Sequence, residues 1–166
     1  MIQKRRQLTL FVPNDQSEAI EKVRAEFNPE QFRLIDAHVT LCREDEIEPL
    51  DQVISILEKT NLKSVTLNFV EPILFSEGKG VLLPAVDSDG SFQSLRREIL
   101  SNSIENPRNH QAHITLMHPR NSTATETVFE EIKQVDFPKT ITFSEVCLIE
   151  QESGKEWKIV KRFPLQ

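Results

Sequence analysis

A chain of 166 residues suits one domain or two small fused lobes, and it can bury a core without disulfide or metal staples. Charged residues make up 28% and hydrophobic ones 38%, and no apolar run approaches the roughly 18 residues a membrane span needs. The net charge of −6 argues against binding long duplex nucleic acid, whose nonspecific affinity comes from Lys and Arg, but leaves room for one local basic pocket.

The start of the chain is basic, but only the short stretch Leu8–Asn14 follows before polar sequence, so no secretory signal is expected. Gln7–Val12 alternates with period two, with Leu8, Leu10 and Val12 on one side of a strand and Thr9 and Phe11 on the other. Asn14 or Asp15 can cap a helix that carries Ile20, Val23 and Phe27 on one face and ends near Asn28-Pro29. Ile35–Cys42 reads as a strand. Pro49 opens a second helix with Leu50, Val53, Ile54 and Leu57 inward. Ser64–Val70 alternates as a strand, and Ile73–Phe75 is a candidate for another.

The pattern then restarts. Gly80–Val86 reads as a strand, and Ser88 or Asp89 can cap a helix bearing Phe92, Leu95 and Ile99. Gln111–Met117 is a strand. Thr123 with Glu126 fits a capping box for a helix that buries Val128, Phe129 and Ile132. Thr140–Ile149 and Lys155–Val160 form a closing hairpin that turns at Glu152-Ser153-Gly154.

Each half thus runs β-α-β-α-β-β. An offset of 75 residues (113 − 38) relates His38 to His113, takes Leu8 to Leu83 and takes Pro49 to Ala124. This predicts an internal duplication with approximate repeats 7–77 and 79–162 inside a single domain, 1–166. The expected fold class is α+β. Two antiparallel sheets with flanking helices surround a central cleft, related by a pseudo-two-fold.

The same tetrapeptide stands mid-strand in both halves, as His38-Val39-Thr40-Leu41 and His113-Ile114-Thr115-Leu116. Residues i and i+2 of a strand share a face, so each half presents one imidazole and one hydroxyl while the aliphatic residues pack behind. Two histidines from opposite lobes suit in-line displacement at phosphorus, which needs a base near the attacking oxygen and an acid near the leaving one. Threonine hydroxyls can hold the non-bridging oxygens, where charge collects.

These paired H-x-T motifs on a duplicated α+β chain resemble the 2H phosphoesterase superfamily, which includes 2′-5′ RNA ligase-like proteins and cyclic phosphodiesterases. The resemblance covers nearly the whole chain. It implies His38 and His113 as acid/base residues and Thr40 and Thr115 as phosphate binders, with metal-independent action on 2′,3′-cyclic phosphates or 2′-5′ linkages of a nucleotide or RNA end. No cofactor is implied. Reversible 2′-5′ RNA ligation and a non-catalytic RNA- or nucleotide-binding module remain the alternatives, and which histidine is the acid stays open.

The flanks are less specific. Arg120 and His118 can reach an extra phosphate or a base at the cleft rim, or form a solvated turn. Arg43 follows the first motif but on strict alternation points away from the His38 face. Phe11 can stack a base or pack in the core. Lys79 reads as a hairpin turn, His110 as a loop histidine and Trp157 as core of the last hairpin. Cys42 and Cys147 form no C-x-x-C and read as reduced thiols of a cytoplasmic protein, with a site-wall role open for Cys42. No zinc ligand pattern, phosphate-binding glycine loop or G-x-S-x-G elbow is present. A monomer is expected.

Overall fold

The computed structural model describes residues 2–166. Strand β1 (Lys4–Phe11) leads to a single 3₁₀ turn at Asn14–Gln16, and helix α1 then starts at Glu18 and runs to Phe27. The expected cap residues therefore form a turn of their own instead of opening the helix. Pro29 does not merely end α1. It starts a second short helix, α2 (Pro29–Leu34), because a first-turn proline gives up no hydrogen bond. That helix shortens the next strand, β2, to His38–Cys42. Helix α3 (Leu50–Lys59) buries Val53 and Leu57, as the 3.6-residue period requires. Strands β3 (Val65–Phe69) and β4 (Ile73–Phe75) complete the first half.

The second half contains β5 (Gly80–Val86), α4 (Ser91–Ile99), β6 (His113–Met117), α5 (Glu126–Lys133), β7 (Thr140–Phe143), β8 (Glu145–Glu152) and β9 (Lys158–Pro164). Helix α4 buries Phe92, Leu95 and Ile99. The residue before it is Gly90, in the left-handed region at φ 72°. The Asp89 carboxylate accepts the Ser91 N–H at 3.0 Å, as expected of a cap, and the Asp87 carboxylate takes the N–H groups of Phe92 and Gln93 at 3.0 Å each. The cap of α5 is Thr125, whose Oγ1 accepts the Val128 N–H at 3.2 Å, and not Thr123. The expected strand 140–149 breaks at Ser144 into β7 and β8, which pair with different neighbours. The hairpin after β8 turns where expected, with positive φ at Ser153 and Gly154, but its returning strand begins at Lys158.

All strand pairings are antiparallel. The strands follow one path, β7-β3-β5-β6-β2-β1-β8-β9, with β4 also on β5. The expected pair of sheets is thus joined, and the seam is one register pair, Val39 with Ile114, between β2 and β6. Strands β3 and β5 pair, as do β4 and β5, so early strands complete the late half. Strand β8 in turn completes the early half by pairing with β1. One hydrophobic core runs through both halves, from Leu8 and Leu10 to Leu83, Ile114 and Phe143. Among the described residues no helix is long and apolar enough to cross a membrane.

The register corrects the uniform offset. Thr9 pairs with Thr40 and Phe11 with His38, while Leu82 pairs with Thr115 and Pro84 with His113. The first strands are therefore equivalent at an offset of 73 (84 − 11), and the central strands at 75 (113 − 38). The structural counterpart of Leu83 is Leu10 rather than Leu8. Both ladders carry an irregularity at the matching place, between Leu8 and Thr9 and between Val81 and Leu82.

Candidate active site

Strands β2 and β6 bury their residues in the same order. The histidine and threonine of each are half-buried, and the three residues interleaved with or following them are buried. Alternation accounts for the first four positions of each strand, with His and Thr toward the cleft and the aliphatic residues between them packed behind. Cys42 and Met117 share the His and Thr face but are buried at the strand ends. His38 Nδ1 lies 2.8 Å from the Asp36 carbonyl oxygen, and His113 Nδ1 lies 2.8 Å from that of Gln111. A carbonyl only accepts, so each Nδ1 carries the proton and donates. Each neutral ring is then left with a bare Nε2, the nitrogen that can take a proton from a ligand.

The cleft that these strands line has a volume of about 530 Å³. It gathers His38, Thr40, His113 and Thr115 with Arg43, His118 and Arg120. All four histidines of the chain line it. Arg43 faces the cleft despite the alternation argument, because β2 ends at Cys42 and the chain turns into a 3₁₀ segment at Glu44–Glu46. His118 is anchored through its backbone N–H to Asn28 Oδ1 at 2.8 Å, and its Nδ1 accepts the Arg120 N–H at 3.1 Å. Burial lowers the pKa of its imidazole, and the charges of Arg120 and Arg5 lower it further.

Phe11 is not among the cleft-lining residues. Its ring sits edge-on to His38, with centroids 6.1 Å apart, and packs against Ile35, Cys147 and Ile149. Lys79 closes the turn after β4, its N–H bonded to the Ser76 carbonyl. Cys42 is fully buried, and burial pushes its thiol up to about 12.

Several cleft residues escaped sequence reading. Gln7 donates from Nε2 to Thr9 Oγ1 at 2.9 Å and to Thr40 Oγ1 at 3.4 Å, so the Thr40 hydroxyl proton stays available to a ligand. Arg5, Gln7 and Thr9 share one face of β1, and that period-two polar face was the signal for them. His110 is a loop residue as expected, but it stands in the cleft between Phe92 and His113, at centroid distances of 6.2 and 6.0 Å. Its Nε2 is buried without a partner among the described residues. Burial, followed by the charges of Arg96, His113 and Arg108, brings its pKa down to about 4. Trp157 is half-buried at the cleft mouth rather than in the core.

Two fully buried arginines brace β2 from behind. Arg24 of α1 donates to the Ile35 carbonyl at 2.6 Å and pairs with Glu21. Glu21 in turn accepts the Ala37 N–H, which fixes the approach to His38. Arg96 of α4 donates to the Leu41 carbonyl at 2.6 Å and meets both carboxylate oxygens of Glu46, at 3.1 and 2.7 Å. Burial alone would raise the Glu46 pKa, but the hydrogen bonds from Arg96 and Arg43, with the charges of Arg96 and Arg108, hold it down at about 2.

Burial lowers the His38 imidazole to about 4, with the Arg24 and His113 charges adding to this and the Asp36 bond opposing it. His38 is therefore neutral near pH 7. Larger hollows of about 650 and 600 Å³ lie elsewhere on the surface, but no histidine lines either, so size does not locate the chemistry. Among the described residues no group of three or more His, Cys, Asp and Glu is arranged to hold a metal ion.

The profile of the 2′-5′ RNA ligase superfamily matches residues 12–155. No curated protein matches the sequence. Solved structures of LigT from E. coli share the fold. The apo form is 21% identical with a TM-score of 0.68, covering 100% of this chain and 99% of LigT. The complex with 3′-AMP is 20% identical at a TM-score of 0.66, and the complex with phosphate is 19% identical at 0.66, each covering 98% of both chains.

Proposed function

The chain belongs to the 2′-5′ RNA ligase superfamily, and on that footing we propose that it is a phosphoesterase acting on a 2′,3′-cyclic phosphate or a 2′-5′ phosphodiester of a nucleotide or RNA end. The observation that carries this reading is the mirrored pair of Nδ1–carbonyl bonds, which leaves two Nε2 atoms free in a cleft that Thr40 and Thr115 also line. The complexes of LigT with 3′-AMP and with phosphate support a nucleotide phosphate as the ligand.

In this reading Thr40 and Thr115 donate to the non-bridging oxygens. Neutral His38 takes a proton from water as the water oxygen attacks phosphorus. The bond from phosphorus to the ribose oxygen breaks, and His113, entering protonated, gives its proton to that oxygen. The product is a phosphomonoester, and two successive proton exchanges with solvent restore both rings. A 5′-hydroxyl in place of water would attack the cyclic phosphate through the same two proton transfers and join two ends, so hydrolysis and ligation share one apparatus. Arg43, Arg120 and His118 add positive or hydrogen-bonding groups at the rim for a further phosphate.

The steps use imidazoles and hydroxyls alone. Incubation with 2′,3′-cyclic nucleotides in excess EDTA, read by chromatography, should yield a nucleoside monophosphate. Binding of the nucleotide without product would make the chain a binding module and sink the reading.

A further inference from the structure

The chain has one tryptophan and no tyrosine. The tryptophan, Trp157, lies in the irregular run between β8 and β9, yet it is held firmly, with its backbone N–H bonded to the Leu34 carbonyl at 2.9 Å. The indole packs on the small cluster of Ile35, Cys147 and Ile149 and still lines the same cleft as His38 and Thr40. The Arg5 guanidinium lies 5.3 Å from the indole centroid. Arg5 is itself held by Gln151 Oε1 at 3.4 Å and by Glu44 at 3.7 Å. Gln151 is buried and fixed by the Lys155 carbonyl.

We propose that Trp157 and Arg5 form the nucleobase subsite of the cleft, a flat stack on which the base of the bound nucleotide lies while its phosphate sits between Thr40 and Thr115. This rests on the reading of the chain as a nucleotide phosphoesterase. A cleft of about 530 Å³ offers far more room than a cyclic phosphate fills, and among the described residues that line it Trp157 is the one aromatic that does not titrate. Indole and guanidinium planes both stack on any base, so the subsite favours nucleotides over inorganic phosphate without reading a sequence. The stack is assembled only by long-range pairing: β1 against β8 brings Arg5 to Gln151, and α2 anchors Trp157.

The test exploits the lone fluorophore. Titration of the wild-type protein with 2′,3′-cyclic AMP and with 3′-AMP should change the tryptophan emission saturably, whereas inorganic phosphate at matched occupancy should leave it unchanged. Trp157→Ala should raise KM for 2′,3′-cyclic AMP by roughly tenfold or more, with kcat falling far less, as loss of one base stack implies. Trp157→Phe, which keeps a ring, should recover much of that loss and guards against a misfolded alanine variant. If nucleotide is turned over with no change in emission, or if KM is unmoved in both variants, the subsite is overturned and the phosphoesterase reading survives. If the wild type neither binds nor turns over nucleotide, both fall together.

Discussion

The two halves of the cleft are built on the same ladder and differ in what surrounds it. Each carries H-x-T on a central strand, each imidazole donates to the carbonyl two residues earlier, and each flanking strand is irregular at the same step. Around β2, the neighbouring strand supplies Gln7 to the Thr40 hydroxyl and Phe11 to the edge of His38. Around β6, at the 73-residue offset, the counterparts are Gly80 and Pro84, and the ring beside His113 is His110. The repeated backbone sets geometry, and the unrepeated neighbours set chemistry. The half with the apolar neighbour holds its histidine neutral, which suits it to accept a proton.

The largest expected effect tests whether both halves are needed. His38→Ala and His113→Ala should each lower kcat/KM by roughly 10²–10⁴-fold, the usual worth of a general acid or base, without changing the thermal transition. The double variant should be little worse than either single one, because in the proposed mechanism the two rings act in one step. A single variant with near wild-type turnover would break the comparison.

The buried brace behind β2 comes next. Glu46→Gln leaves the fully buried Arg96 without its carboxylate, and the loss in urea denaturation should be about 3–5 kcal/mol. The pH dependence has a definite sign. Glu46 is depressed from 4.5 to about 2 in the folded state, so its stabilisation is complete above pH 4.5 and is lost as pH falls toward 2. Acid unfolding of the wild type should show this loss, and the Glu46→Gln variant should lack it.

A smaller effect concerns the acid limb of kcat/KM. As the proposed base His38 must be neutral, and burial sets it at about 4, so activity should persist as pH falls until that value is approached. Phe11→Ala should admit water and move the limb upward toward 6.5, the ordinary value for an imidazole. A wild-type limb already centred near 6.5 would show that burial does not hold the His38 imidazole down.

Smallest of all, Gln7→Ala should slow turnover only a few-fold, through the Thr40 hydroxyl it holds, in line with one neutral hydrogen bond worth about 1 kcal/mol. In a Thr40→Val background the same change should add nothing, and a double-mutant cycle reads this directly.

Local pattern alone determined much of this protein. Period-two alternation placed His38, Thr40, His113 and Thr115 on one side of their strands, the side that lines the cleft, and helical spacing picked out Val53, Leu57, Phe92, Leu95, Ile99 and Ile132 as buried. Those signals are legible because each depends only on neighbours a few residues away. The cap of α5 lies at Thr125, two residues past the expected Thr123, and at α4 the expected Asp89 accepts the Ser91 N–H while Asp87 takes the next two, since several oxygens near a helix start compete to cap it. Tertiary structure decided the rest. It brought Arg5 and Trp157 together across the β1–β8 pairing, set His110 against His113, and shifted the flanking strands to an offset of 73. It also buried Arg24 and Arg96, which composition alone would assign to the surface. Each of these depends on which distant strands pair and in what register, and a strand's own sequence does not state its partner.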